Sequence, residues 1–218
     1  MPSLISGKLA SRLRALAEIP GFFGEEMCNT IDDLLELSLY TEIARLQPAT
    51  LLFDEEAEEY FNNEVLYVEY CIFNDRYTLN SLRGDDSIEG SVRLACLIFH
   101  NTAIWGGFPD MAGVLPQPVL ALESSIRSGL AAGLYRHYPD LLIWLLFIGA
   151  CSANFFHRLF FMSELSTAVT AHGLKTFEEF HSLLGDFFYV DRCYLSACRD
   201  IWAHIHSSML SPHQTPIV

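Results

Sequence analysis

Three residues in this chain could carry acid–base chemistry: His100, Asp110 and His157. His100 closes an otherwise apolar stretch, Asp110 lies in the loop after it, and His157 comes just after the most apolar run. Imidazole changes charge near neutral pH, and a positioned carboxylate or imidazole can move a proton to or from a bound molecule. Around them stand side chains suited to binding: Arg93, Trp105, Phe108, Arg158 and Phe161. His157 beside Arg158 can bind an anion, and the Trp105 and Phe108 rings can cover a ligand. The expected site is a largely apolar cavity between the helix ending at His100, the Trp105–Gln117 loop and the helix start at 154–162. A plainer reading uses the same residues. His100 is then a satisfied structural histidine, and Arg158 pairs with Glu89 or Asp191 to tie two helices together.

Other chemistries lack their residues. There is no G-x-S-x-G, no phosphate-cradling glycine loop, no H-E-x-x-H and no dinucleotide fingerprint. The six cysteines (28, 71, 96, 151, 193 and 198) are separated by 43, 25, 55, 42 and 5 positions, so no C-x2-C pair supports zinc. His204 and His206 point to opposite sides of a helix. The acidic run Asp54–Glu59 crowds a helix start, where the dipole favours negative charge, and reads as a solvated face rather than a metal site. Neither metal nor cofactor is implied.

The elements that must position these residues are helices. The stretch 138–162, YPDLLIWLLFIGACSANFFHRLFFM, is the most apolar in the chain. Pro139 and Asp140 suit a first helical turn. The 13 residues from Leu141 to Ala153 contain only Ser152 as a strongly polar side chain, and a bilayer span needs roughly 20. The expectation is a buried central helix, a break at 152–154, and a second helix from about Phe155. Apolar stripes at helical spacing predict further helices at about 9–19, 25–46, from about 54 onward, 86–100, 118–134, 177–187 and 191–206. Asp86 with Glu89, and Thr176 with Glu179, read as capping boxes. Glu89 precedes Arg93 in the order favoured for an ion pair. Strand-like alternation is missing throughout. The architecture expected is all-α, a single-domain bundle of about eight helices over residues 1–206, with a loose tail at 207–218.

Composition narrows the partners. Among 218 residues, 51% are apolar and 18% charged, with a net charge of −14. Residues 1–90 carry 18 acids against 6 bases, and residues 91–218 carry nine against seven. Phosphate backbones are bound through Lys and Arg, so neither nucleic acid nor an anionic membrane surface is expected as a direct partner, and no membrane span either. The N-terminus has no secretory pattern, which together with the scattered thiols suggests an intracellular setting, cytoplasmic or nuclear. Arg83–Asp85 spells an integrin-binding tripeptide by chance.

From Ser87 onward an ordered set of short segments carries a family resemblance. The set runs through Glu89, Arg93-Leu94-Ala95, Leu97-Ile98, Phe108-Pro109, Leu142–Gly149 with Ala150 and Ala153, Arg158, and Phe160-Phe161. It continues through Leu174–Glu179 and Tyr189–Arg192 and closes on Cys198–Trp202. Over about 120 residues, 87–206, the chain resembles the C-terminal regulatory region of fungal zinc-cluster transcription factors, the fungal-specific transcription factor domain. The DNA-binding cluster that normally precedes that region, two C-x2-C-x6-C units, has no counterpart in this sequence. Phe177 stands where the family often has Trp. The chain opens on Met1 and reads as a stand-alone protein or as a trimmed regulatory domain. The resemblance implies an all-helical module that takes up a hydrophobic small molecule, a sterol or a pathway metabolite. It leaves two alternatives open. One is an enzyme of fungal secondary metabolism, a cyclase or isomerase using His100, Asp110 and His157. The other is a regulator without DNA contacts, acting as a homodimer or as a heterodimer with a related transcription factor.

Overall fold

A computed structural model describes residues 8–46, 55–75, 84–105 and 116–210. Among these residues there is no strand, and nine α-helices form a single-domain bundle: α1 Ser11–Ala17, α2 Glu25–Leu46, α3 Glu55–Asp75, α4 Ile88–Phe99, α5 Pro116–Ala131, α6 Pro139–Ser152, α7 Phe155–His172, α8 Phe177–Gly185 and α9 Asp191–Leu210. A π-helical turn, His100–Ile104, extends α4, and a 3-10 turn, Leu134–His137, joins α5 to α6.

The bundle is built around α6. Pro139 sits in its first turn and Asp140 comes next, where the dipole favours an acid. Every residue from Leu141 to Ala150 is buried, so no side of this helix meets water. Trp144 stacks on Phe187 at 5.3 Å, and its indole Nε1–H donates to the Phe188 carbonyl at 3.1 Å. Phe147 meets the rings of Phe180, Tyr189 and Tyr194. The helix ends at Ala153, which turns extended. Asn154 then caps α7 by accepting from the His157 amide at 3.2 Å. The resulting elbow folds α7 back along α6, the most extensive helix pair among the described residues. Gly149 makes that approach possible, because a Cβ there would stand 2.2 Å from the Phe161 ring.

The second buried element is α4, whose residues Glu89–Phe99 are all buried. Its cap differs from the expected Asp86. Ser87 accepts from the Gly90 amide, and Glu89 reaches instead to the Gly24 amide at 2.7 Å. The carboxylate thus fastens the chain between α1 and α2 to α4. Ser91 binds Ser125 of α5 and Tyr135 of the 3-10 turn, each at 2.7 Å. The Thr176–Glu179 capping box is present at α8, and Gly173 ends α7 with a φ of 82°. The expected tail begins inside α9, which continues to Leu210, and residues 211–218 lie outside the described ones.

Candidate functional site

The elbow between α6 and α7 brings together the polar residues that α6 itself excludes. Ser152 ends α6, Ala153 turns, and Asn154 caps α7, so His157 lands in the first turn of α7. The N-terminal turn of α5 packs opposite. Pro116, Val119, Leu120, Ser152, Ala153, Asn154 and His157 line a partly open cavity of about 240 Å³. One wall is apolar, and the other carries a hydroxyl, an amide and an imidazole. This is the usual make-up of a small-molecule site. Phe155, Phe156 and Leu159 stand at the start of the same helix with 74%, 78% and 60% of their surface exposed, an apolar patch beside the polar wall.

The imidazole is held from behind. His157 Nδ1 lies 2.7 Å from Glu123 Oε2, across the gap from α5 to α7. An ionised carboxylate only accepts, so the proton of this bond sits on Nδ1. In the neutral ring Nε2 is then left as an acceptor. Glu123 is fixed in turn by Arg127 one helical turn on, whose Nε and terminal nitrogen both donate to Oε1, at 2.9 and 2.7 Å. The Arg127 guanidinium lies 3.9 Å from the centre of the Phe160 ring on α7, a cation–π contact. The chain Phe160–Arg127–Glu123–His157 therefore sets the orientation and tautomer of one imidazole from two helices. Such a histidine can accept a hydrogen bond from a ligand hydroxyl or amide, or act on a proton.

Of the described residues among those proposed from sequence, His157 alone lines this cavity. His100 is fully buried at the start of the π-helical turn, and its Nε2–H donates to the Val65 carbonyl of α3 at 3.1 Å. Burial pulls its pKa down to about 4, with the carbonyl bond opposing. His100 is thus a neutral tie between α4 and α3. Arg93, only 2% exposed, lies 3.9 Å from both Glu89 and Asp85, inside the protein. Phe161 is fully buried against Gly149, in the packing of α7 on α6. Trp105 comes directly after the π-helical turn, half-buried against the core. Arg158 is half-buried near Cys151. Phe108 and Asp110 lie outside the described residues. The cavity at His157 is bounded by α5 and the elbow, not by α4. Glu89 accepts from the Gly24 amide, and Asp191 pairs with His181 at 2.7 Å.

Sequence reasoning missed Glu123. Its spacing to Arg127 is readable as an i,i+4 pair, but its 34-residue separation from His157 is not. Thiol chemistry is disfavoured in the interior. Burial raises Cys96 and Cys151 above the ordinary thiol range, and pushes Cys198 up to about 12. Among the described residues no group of three His, Cys, Asp or Glu side chains could hold a metal ion, and no helix is long and apolar enough to cross a membrane. No protein-family profile, curated protein or solved structure matches this chain.

Proposed function

We propose that this protein is a helical binding module, of the kind found in the regulatory region of fungal zinc-cluster factors. It takes up a small, mostly apolar molecule in the cavity between α5 and the α6–α7 elbow. The observation that carries the reading is the pairing of an apolar wall (Pro116, Val119, Leu120, Ala153) with an imidazole whose tautomer is fixed by Glu123. The ligand class comes from the walls: an apolar body with one hydroxyl or amide N–H to donate to His157 Nε2. A cavity of about 240 Å³ lies below the roughly 300–1,000 Å³ of drug-sized sites. It suits a compact metabolite better than a sterol. None of the six cysteines forms a disulfide, in keeping with a reducing, intracellular compartment.

A second reading rests on the same dyad. A histidine oriented by a carboxylate is a competent general base, so a proton-transfer enzyme of the isomerase or cyclase type uses His157 with Glu123 behind it. In that reading His100 has no access to substrate. A thermal-shift screen of compact apolar alcohols and amides tests the binding reading. Hits are expected to stabilise the wild type and to lose that effect in Ala153→Leu, which fills the cavity, and in His157→Ala. Hits that stabilise both variants as fully as the wild type would place binding elsewhere. Turnover of a hit, abolished in His157→Ala while binding persists, would favour the enzyme.

A further inference from the structure

The face formed by α2 and α3 is distant in character from the elbow. Helices 25–46 and 55–75 contain thirteen acids and one base, Arg45. They also carry six of the eleven exposed large apolar side chains among the described residues: Tyr40, Ile43, Tyr60, Leu66, Tyr67 and Tyr70. Acids and rings share the same helical lines. Glu36, Tyr40 and Ile43 succeed one another at i, i+4 and i+7 on α2, and Tyr60, Glu64 and Tyr67 do so on α3. Where the two lines meet, Asp33, Glu36, Leu37, Tyr40, Tyr60, Phe61 and Glu64 enclose a cleft of about 70 Å³. Tyr40 and Phe61 stack along one wall at 5.0 Å. Among the described residues no Lys or Arg lines it. At its margins two cations of the described residues pair with acids, Arg14 with Asp32 and Arg192 with Glu42.

Three carboxylates and three rings around a space that admits one side-chain head form a receptor for a cationic head. A guanidinium can bond carboxylates in its plane and stack its face on an aromatic ring. The exposed apolar side chains extend the surface well beyond that cleft. They need an apolar partner surface, which a free small cation does not have. A membrane of anionic lipid is repelled by this face, and a second copy of the same face meets it with like charge.

We propose that the α2–α3 face docks a basic amphipathic segment of another protein, one Arg of which inserts between Asp33, Glu36 and Glu64 while its apolar residues cover Tyr60, Leu66 and Tyr67. Two features of the cleft agree with this. Burial first, and then the neighbouring carboxylates of Glu64, Asp32 and Glu36, raise the Asp33 pKa, as expected where negative charge is concentrated and a cation is wanted. Tyrosine is also among the side chains enriched at the energetic centres of interfaces.

The test uses the full chain and a set of synthetic peptides of about fifteen residues. Their Arg and Leu positions have amphipathic helical spacing, and each is paired with a scrambled isomer of identical charge. Binding is read by fluorescence anisotropy at about 0.15 M salt, where unspecific attraction is largely screened. The patterned peptide is expected to bind at least about tenfold more tightly than its isomer. Tyr60→Ala/Tyr67→Ala leaves the net charge unchanged and is expected to weaken binding about tenfold. Glu178→Gln/Asp200→Asn, which removes exposed charge elsewhere, is expected to change it less than about twofold. Circular dichroism melts confirm that each variant is folded. The proposal is overturned if no patterned peptide binds. Equal affinity for patterned and scrambled peptides, or equal loss in the two variants, would reduce the face to bulk charge and also overturn it. So would a wild-type dimer in sedimentation that the tyrosine variant dissociates, since the face would then join two copies of this chain.

Discussion

At the scale of single residues, position in the packing decides what a titratable group can do. His100 and His157 are the same side chain with opposite environments. One is sealed between α4 and α3, and the other lines a cavity with a carboxylate at its back. Burial gives His100 a measurable pH signature. Its folded pKa is about 4 against an ordinary value of 6.5. As pH falls, the unfolded chain therefore takes up this proton first. The contribution of His100 to stability is complete above the unfolded value, is lost as pH falls from about 6.5 to about 4, and levels off at lower pH, a total on the order of 3 kcal/mol. His100→Gln keeps a donor for Val65 and removes the titration. Urea unfolding of wild type and variant across pH 7 to 4 is expected to show a shallower loss in the variant. Parallel curves would mean that His100 is hydrated and not a buried tie.

At the scale of elements, the ends of helices were legible because they are local. Pro139-Asp140, Thr176 with Glu179, and His172-Gly173 act on backbone within a few residues of themselves, and each stands where its chemistry predicts. The central helix was legible because an apolar run of that length has only the interior to go to. The site was less so. Glu89 and Arg93 on α4 and His100 just after it are offered by their types as an ion pair and an acid–base group, but a buried helix has no outside, and all three residues are internal. The π-helical turn beginning at His100 also shifts the register of the residues after it, which no periodicity reveals. Glu123 reaches His157 only through the tertiary fold. The position of α6 has a direct test. Trp144→Ala removes the ring stacked on Phe187 and its bond to Phe188, and is expected to cost about 3–5 kcal/mol in chemical denaturation. A loss below about 1 kcal/mol would make α6 peripheral.

At the scale of the whole molecule, charge and apolar surface are distributed unevenly, and the division has consequences for partners. The N-terminal part carries an acidic, tyrosine-rich face, and the part from α4 onward carries the core helices and the cavity. Among the described residues nothing basic is gathered into a stripe that could track a phosphate backbone. A gel shift at low salt is expected to show no retention of duplex DNA, and sub-micromolar retention would contradict that. The cavity and the acidic face lie on different helix pairs, α5 with the elbow and α2 with α3. A ligand at one and a protein segment at the other can therefore be present together.

The proposed ligand site in the elbow cavity depends on the imidazole that Glu123 holds. The most direct measurement is nuclear magnetic resonance of the imidazole nitrogens of His157, together with the backbone amides, during titration with a stabilising compound from the screen. The free protein is expected to show His157 protonated at Nδ1, the ligand to shift Nε2 and the Ser152, Asn154 and Val119 amides, and Glu123→Gln to alter the Nε2 response. Shifts confined to other helices, with the His157 nitrogens unmoved at saturation, would contradict it.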